Sequence, residues 1–337
     1  SSLPRGPWNL YGGLMEYKAE PFVFPDGLTG FQKQLGVPMA THNRWIDPSS
    51  PYQQQYQISG IMSTDPRYWA DIMDYIKNAG VTCYEQDWLD YIYRGSPAMQ
   101  STLNVADSFT DNMAGAAASR DINLQYCMAM PRYFLQGLKY NNLTTIRTSE
   151  DIFKQNKWQK FLFTSQLAFE TGAIPWSDVF KSSELGNMIL SVLSSGPVGT
   201  GDAIGKENKN NIMLACRTDG QLVRPDVPIL PLDKSYTEKA SGDSLPLLAY
   251  TYTKHNNITT DYLFAFCNDT GDAKTFTFTP DEIGMTGNVV VYNPITKAIK
   301  AISSQTSFTD EVAATNYNYY IIAPITTSGI AFLGDSG

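Results

Sequence analysis

At 337 residues, 42% of them hydrophobic, the chain is long enough to bury a barrel-sized core and a smaller second one. Charged residues are sparse at 17% and the formal net charge is −8, which argues against polyanionic partners such as nucleic acid or an anionic membrane surface. No run of about 18 apolar residues occurs, so no membrane-spanning helix is expected.

The chain opens on Ser1-Ser2-Leu3-Pro4-Arg5-Gly6, with neither Met nor a signal-peptide pattern, and this end reads as processed. Trp8-Asn9-Leu10-Tyr11 has the composition of a first strand. Leu28 to Leu35 reads as a helix, followed by a strand at Val37-Pro38-Met39-Ala40, with His42-Asn43-Arg44-Trp45 just beyond it. Asp65-Pro66 starts the next helix: Asp caps, Pro takes the first helical position, and Trp69, Ile72, Met73 and Ile76 form one apolar stripe. Asn78-Ala79-Gly80 ends it, and Val81 begins a strand running through Glu85 to Asp87 and Trp88. A helix is expected from about Met99 to Ser119, then the strand Leu124 to Met128 and a strand from Thr144 to Asp151. A helix from Trp158 to Phe169 leads to Gly172 through Asp178, and a helix from Glu184 to Leu193 leads to Ser194 through Asp202.

This βαβα rhythm predicts a parallel sheet wrapped by helices, a (β/α) barrel occupying residues 1–231. The Pro-rich stretch Arg224 to Pro231 marks the passage to a second domain, 232–337. There, short runs such as Tyr262-Leu263-Phe264-Ala265-Phe266 and Val289-Val290-Val291-Tyr292, separated by turn residues, predict an antiparallel β-sandwich.

The four cysteines are far apart, with no CxxC. Cys83 and Cys127 fall in expected core strands and read as buried thiols, so no metal centre is expected. The 20 Tyr, 16 Phe and 6 Trp suit core packing or sugar-stacking surfaces, and composition alone favours packing. Sequons at Asn142, Asn257 and Asn268 lean towards a secreted or periplasmic protein, although a Thr- and Asn-rich chain produces them by chance as well.

Two strands thus run out into carboxylates, at Glu85/Asp87 and at Glu150/Asp151. Parallel strands of a barrel converge at their C-terminal ends, and a pair of carboxyl groups there is the minimal apparatus for cleaving a glycosidic bond.

Read in order, the strand ends resemble the catalytic barrel of clan D glycoside hydrolases, in particular family 36 and its raffinose synthase and alkaline α-galactosidase group. Cys127-Met128-Ala129-Met130 through Arg147-Thr148-Ser149-Glu150-Asp151 resembles that group's "CMS…RxSDD" stretch. Ile174-Pro175-Trp176-Ser177-Asp178-Val179-Phe180 resembles "PxWDMF", and Gly196-Pro197-Val198-Gly199-Thr200-Gly201-Asp202 resembles "GGPVYVSD". Cys216 to Gly220 with Leu222 to Pro225 fit the following "DGxxLRxxxP", and Gly329 to Asp335 looks like the group's C-terminal sandwich. The ordered set runs from about residue 20 to the C-terminus.

The resemblance implies a retaining double displacement on an α-linked, α-galactosyl-type oligosaccharide or glycoside, with Asp87 as nucleophile, Asp151 as acid/base, and no metal or organic cofactor. Glu85, Trp88, Arg147, His42, Arg44, Trp45, Trp176, Asp178 and Asp202 stand where substrate contacts are built. The bland alternatives are that Asp87 caps the following turn, that Asp151 caps the next helix or Glu150 is the acid, and that Arg147 holds a carboxylate in a structural pair. Asp90 reads as a solvated helix residue. Two other functions use the same scaffold: a raffinose synthase-like galactosyl transferase, and a non-catalytic carbohydrate-binding relative. The sequence departs from the family twice. Glu85 stands where family members carry Lys, two residues before the nucleophile. The six or seven strands counted fall short of the eight a closed barrel needs, so the chain is expected to be a piece of a longer protein.

Overall fold

The structure is a computed structural model describing residues 12–242 and 244–333. The expected strand at Trp8–Tyr11 lies outside the described residues. The chain divides into two compact units: one runs to Arg147 and takes in Thr171–Ala173, and the other comprises Thr148–Glu170 and everything from Ile174 onward.

The first unit is a parallel sheet in chain order: β1 (Ala40–Asn43), β2 (Cys83–Gln86), β3 (Asn123–Tyr126) and β4 (Leu143–Arg147). Helix α1 (Gly27–Leu35) precedes β1, and α2 (Pro66–Asn78) and α3 (Val105–Ala118) form the first two crossovers. Asp65 caps α2 as expected, its carboxylate accepting the Arg67 amide, with Pro66 at the first position. Tyr68, Trp69, Ile72, Met73 and Ile76 bury one side of α2, and Trp69 meets the Phe109 ring of α3 edge-on at 5.4 Å. The helix expected from Met99 to Ser119 is broken instead. A short helix, Pro97–Ser101, is followed by a turn in which Asn104 takes φ 69, a left-handed conformation Asn tolerates well, before α3 begins.

The strand register sorts the sheet into two faces. Tyr84, Gln86, Leu124, Tyr126, Leu143 and Ile146 are all buried. On the alternate positions stand His42, Cys83, Glu85, Gln125, Thr145 and Arg147, a face that is polar almost throughout.

In the second unit, Thr148–Ile152 is a loop, so the expected strand ends at Arg147 rather than reaching Asp151. Helix α4 (Trp158–Glu170), strand β5 (Ile174–Trp176) and helix α5 (Leu185–Leu193) follow as the periodicity predicts. The expected strand Ser194–Asp202 shrinks to one parallel bridge between Phe180 and Thr200. Pro197 lacks an amide donor, and Ser195 takes φ 62, so the backbone cannot sustain a ladder there. The glycine at 196 is a steric necessity: a Cβ would lie 2.1 Å from the Pro175 carbonyl oxygen.

The C-terminal part forms the expected sandwich. A six-stranded antiparallel sheet contains, in spatial order, Ile299–Ser303, Asn288–Tyr292, Tyr317–Pro324, Ile258–Phe266, Leu247–His255 and Leu230–Pro231; a two-stranded sheet pairs Lys274–Phe278 with Phe308–Val312. One core lies between the two sheets, with Leu263, Val289, Tyr320, Phe276 and Phe308. The larger sheet's other face packs Ala249, Phe264 and Phe266 against Trp158 and Phe161 of α4 and Leu190 of α5. Burial on both faces explains why these strands read as continuous apolar runs rather than strict alternation.

One buried group stands against this core. Asp261, 1% exposed, sits between Tyr252 and Ile322 in the ladder, and neither carboxyl oxygen has a partner among the described residues. Desolvation raises its pKa from 3.8 to about 7. Below about pH 4 the group is protonated whether the chain is folded or not. As pH rises the unfolded carboxyl ionises first, so folded stability falls between about pH 4 and 7 and then levels off, by an amount on the order of 4 kcal/mol. Urea midpoints measured from pH 4 to 8 are expected to show this loss in the parent chain and to lose most of it in Asp261→Asn; the same slope in both would exclude Asp261 as its source.

Candidate active site

The polar face of the first unit ends in a carboxylate. Asp87 follows the last residue of β2, and its amide donates to the Asn43 carbonyl, which anchors the strand end to β1. Its side chain is largely buried and receives three donors. The His42 imidazole lies 3.0 Å away, Nε2 to Oδ2; the Trp88 amide donates to Oδ1 at 2.6 Å; the Cys127 thiol supplies a further hydrogen bond. Burial alone would raise its pKa, but these donors outweigh it and hold Asp87 below the usual carboxylate range. The group is therefore an ionised carboxylate at neutral pH.

Glu85, two residues earlier on the same face, behaves oppositely. Burial, reinforced by the negative charge of Asp87, pushes its pKa up, against the opposing pull of His42, a hydrogen bond donated by Gln125, and Arg147. Gln125 in turn accepts from the Thr145 hydroxyl at 3.2 Å, so His42, Glu85, Gln125 and Thr145 make one polar row across four strands. Two carboxyls on one strand face have thus been driven apart in acidity, the pattern that separates proton-holding from charge-holding groups in catalytic sites.

A buried network under the strand end fixes this arrangement. The Asn43 amide donates to the hydroxyls of Tyr68 (3.2 Å) and Tyr84 (2.8 Å), while its Oδ1 accepts the Arg44 amide at 2.8 Å. Tyr84 donates to Gln86, and the Gln86 amide donates to the Asp87 carbonyl at 3.0 Å.

An aromatic group flanks the carboxylate. Trp45 meets Trp88 and Tyr91 edge-on, with centroids 5.0 and 4.9 Å away, and the Arg44 guanidinium lies 5.0 Å from the Trp45 ring and 5.8 Å from that of Trp88. Arg44 and Trp45 are buried, whereas Trp88 and Tyr91 are half-buried; any ligand contact at this cluster falls to the latter two. Asp90 forms an i,i+4 ion pair with Arg94 on the following short helix.

The second unit holds the other predicted residues. Asp151 lies exposed in the loop after Ser149 and Glu150. Glu150 is occupied by Lys157 and Lys160, each at 2.7 Å, and these hydrogen bonds hold its pKa at about 2, which unsuits it for carrying a proton. Ile152 takes φ 57, a strained conformation for a β-branched residue, and its amide donates to Asp178 Oδ2 at 2.8 Å; the Asp178 amide donates back to the Ser149 hydroxyl at 2.7 Å. Asp178 therefore shapes the loop carrying Asp151. Trp176 follows Pro175 on β5, and its indole N–H is buried without a hydrogen-bond partner among the described residues. Asp202 accepts the Ser182 amide at 2.9 Å, and that bond lowers its pKa.

Sequence reasoning missed Cys127, Gln125 and Thr145 as members of the polar face, and Tyr91 as an aromatic neighbour. The signal was present as period-two spacing: Glu85/Asp87, Gln125/Cys127 and Thr145/Arg147 align once the strands are in register. Among the described residues no group of three or more His, Cys, Asp or Glu is arranged to hold a metal.

No protein-family model and no curated protein sequence matches the chain. Solved structures do. The chain is similar to a glycoside hydrolase family 27 β-L-arabinopyranosidase from Geobacillus stearothermophilus, with a TM-score of 0.67 at 10% identity over 96% of this chain and 85% of that one. A putative α-N-acetylgalactosaminidase from Bacillus halodurans gives 0.57 at 13% identity, over 92% and 84%. A putative α-galactosidase from Bacteroides fragilis gives 0.54 at 11%, over 89% and 65%. At these identities the likeness is one of fold.

Asn43→Ala removes one amide that serves two tyrosine hydroxyls and the Arg44 backbone, leaving buried polar groups unpaired. Unfolding in urea is expected to show a loss of about 2–3 kcal/mol; a loss below about 0.5 kcal/mol would mean the network is not what holds the strand end.

Proposed function

We propose that the protein is a retaining glycoside hydrolase acting on α-linked, α-galactosyl-type oligosaccharides, with Asp87 as nucleophile and Asp151 as acid/base. The observation that carries the reading is the state of Asp87: a carboxylate at the C-terminal end of a parallel strand, kept ionised against burial by His42, Cys127 and the Trp88 amide. A nucleophile for an anomeric carbon must be ionised and only partly solvated, and this group is both. The fold shared with solved glycosidases supports the same reading.

In the first step Asp87 attacks the anomeric carbon while Asp151 gives its proton to the departing glycosidic oxygen. In the second, Asp151 takes a proton from water, which displaces the Asp87 ester and restores the starting configuration. Glu150 does not compete for the acid/base role, because it is committed to two lysines. Glu85 and Arg147 offer polar contacts beside the nucleophile, His42 supports its charge, and Trp88 offers a ring face; Arg44 and Trp45 back that ring. Trp176 has an unpartnered N–H donor, while Asp178 and Asp202 hold backbone amides of Ile152 and Ser182 in place. No cofactor enters the mechanism.

Azide rescue with an aryl α-galactoside tests both assignments. Asp87→Ala is expected to lose hydrolysis and, with azide, to yield the β-glycosyl azide. Asp151→Ala is expected to lose roughly 10²–10⁴-fold on a poor leaving group, much less on dinitrophenyl, and to yield the α-glycosyl azide. Full activity in either variant sinks the assignment for that residue. A second expectation concerns pH. His42→Ala removes a donor that lowers the Asp87 pKa, so the acidic limb of kcat/KM should move to higher pH; an unmoved limb would show that the imidazole does not tune the carboxylate.

A further inference from the structure

The second unit contains a cleft of about 450 Å3 that the proposed hydrolysis does not use. Its floor is apolar, built from α5 by Met188, Ile189 and Val192. Tyr262 and Tyr319, from adjacent strands of the six-stranded sheet, also line it, their rings nearly parallel at 10° with centroids 6.5 Å apart. Two cations, Arg224 and Lys297, stand among the remaining lining residues, most of which are apolar.

Several features mark this as a built site rather than a packing defect. The volume falls within the range of small-molecule pockets, roughly 300–1,000 Å3. Lys297 is presented by a stiff loop: Asn293 Oδ1 accepts the amides of Ile295 at 2.9 Å and Thr296 at 3.0 Å, and the Lys297 amide donates to the Asn293 carbonyl at 2.8 Å. Lys297 itself takes φ 63, a conformation uncommon outside glycine and asparagine. Neither Arg224 nor Lys297 has an ion-pair partner among the described residues, although the chain carries 33 acidic side chains against 25 Lys and Arg. The polar edge is small, a hydrogen bond of 3.2 Å between Thr253 and the Tyr262 hydroxyl.

The chemistry of the walls selects the ligand. A sugar would bring many hydroxyls to an aliphatic floor that cannot satisfy them. A flat apolar body suits the aliphatic and tyrosine surfaces, and a negative group suits a lining that carries two cations. We propose that this cleft binds a flat aromatic anion, an aryl carboxylate or aryl sulfonate, with its ring against Tyr262 and Tyr319 and its charge towards Arg224 and Lys297.

The probe is 8-anilinonaphthalene-1-sulfonate, titrated into the folded chain by calorimetry and fluorescence, with neutral N-phenyl-1-naphthylamine as comparison. Saturable 1:1 binding is expected, tighter for the anion by about tenfold, weakening with salt and raising the Tm. The double variant Arg224→Ala/Lys297→Ala should erase the preference for the anion. Ile189→Trp and, on the exposed loop, Ile295→Trp should fill the cleft and abolish binding; either suffices if its near-UV circular dichroism matches the parent. Asp87→Ala should bind the probe as the parent does, which separates this site from the proposed nucleophile. Equal affinity for the neutral probe, undiminished binding in a folded cleft-filling variant, or absence of saturation would each overturn the proposal.

Discussion

Burying the charge of Asp87 is the constraint around which the first unit is organised. An ionised carboxylate moved out of water at a strand end is unstable unless donors replace the solvent it loses. Here the replacements come from three separate pieces of chain: the imidazole on β1, the amide of the residue after Asp87, and the thiol just past β3. Each depends on strand register. His42 stands opposite Glu85, and Gln125 stands opposite Glu85 from the other side, so Cys127 arrives level with Asp87 only because β2 and β3 pair without a slip. A one-residue shift would send every one of these side chains into the apolar helix layer. Electrostatics and strand pairing therefore reinforce each other, and the polar face is stable only as a set.

The backbone beyond the strand ends is held in conformations it would not choose. Trp88, Met128 and Ile152 take φ of 60, 50 and 57, each just after a stretch carrying site residues, and none is glycine. Trp88 turns so that its amide reaches Asp87, and Ile152 turns so that its amide reaches Asp178. Such strain persists only where surrounding bonds over-determine it. For Trp88 the surroundings are the Asn43–Tyr84–Gln86 network, whose last link ends on the Asp87 carbonyl; for Ile152 the hold comes through Asp178, whose own amide donates to the Ser149 hydroxyl.

The sequence made part of this legible. Asp65-Pro66 announced its helix because capping is local chemistry, and short apolar runs separated by turn residues, such as Tyr262 to Phe266, announced the sandwich. Strand lengths were harder. The stretch to Asp151 looked like strand because Thr144, Thr145 and Ile146 are β-branched, yet hydrogen bonds from Ser149 and Asp178 close it into a loop, and no propensity encodes those. Ser194 through Asp202 held a strand's place in the alternation, but Pro197 and a left-handed Ser195 limit it to a single bridge. For the site, Asp87 was visible as an acid at a strand end, whereas Cys127 read only as a buried thiol. Its hydrogen bond to Asp87 belongs to the register between two strands about 40 residues apart, which a linear pattern does not display.

Glu85 shows why charge alone is a poor guide to what a site presents. The resemblance drawn from the sequence sets a lysine at its position, which would exchange a cation for an anion. The neighbourhood changes the meaning of the exchange. Asp87 is held ionised by its donors, and its negative charge, together with burial, raises the pKa of Glu85. The pair therefore gives up its first proton from Asp87 and keeps the second on Glu85 to higher pH than an ordinary carboxyl would. A protonated carboxyl donates a hydrogen bond, as an ammonium does, without adding charge beside the nucleophile. Lysine would lower the Asp87 pKa further and weaken its nucleophilicity; with Glu85 in that place, the lowering comes from His42 and Cys127. Glu85 is thus compatible with the proposed chemistry, and the donors on neighbouring strands are what make it so.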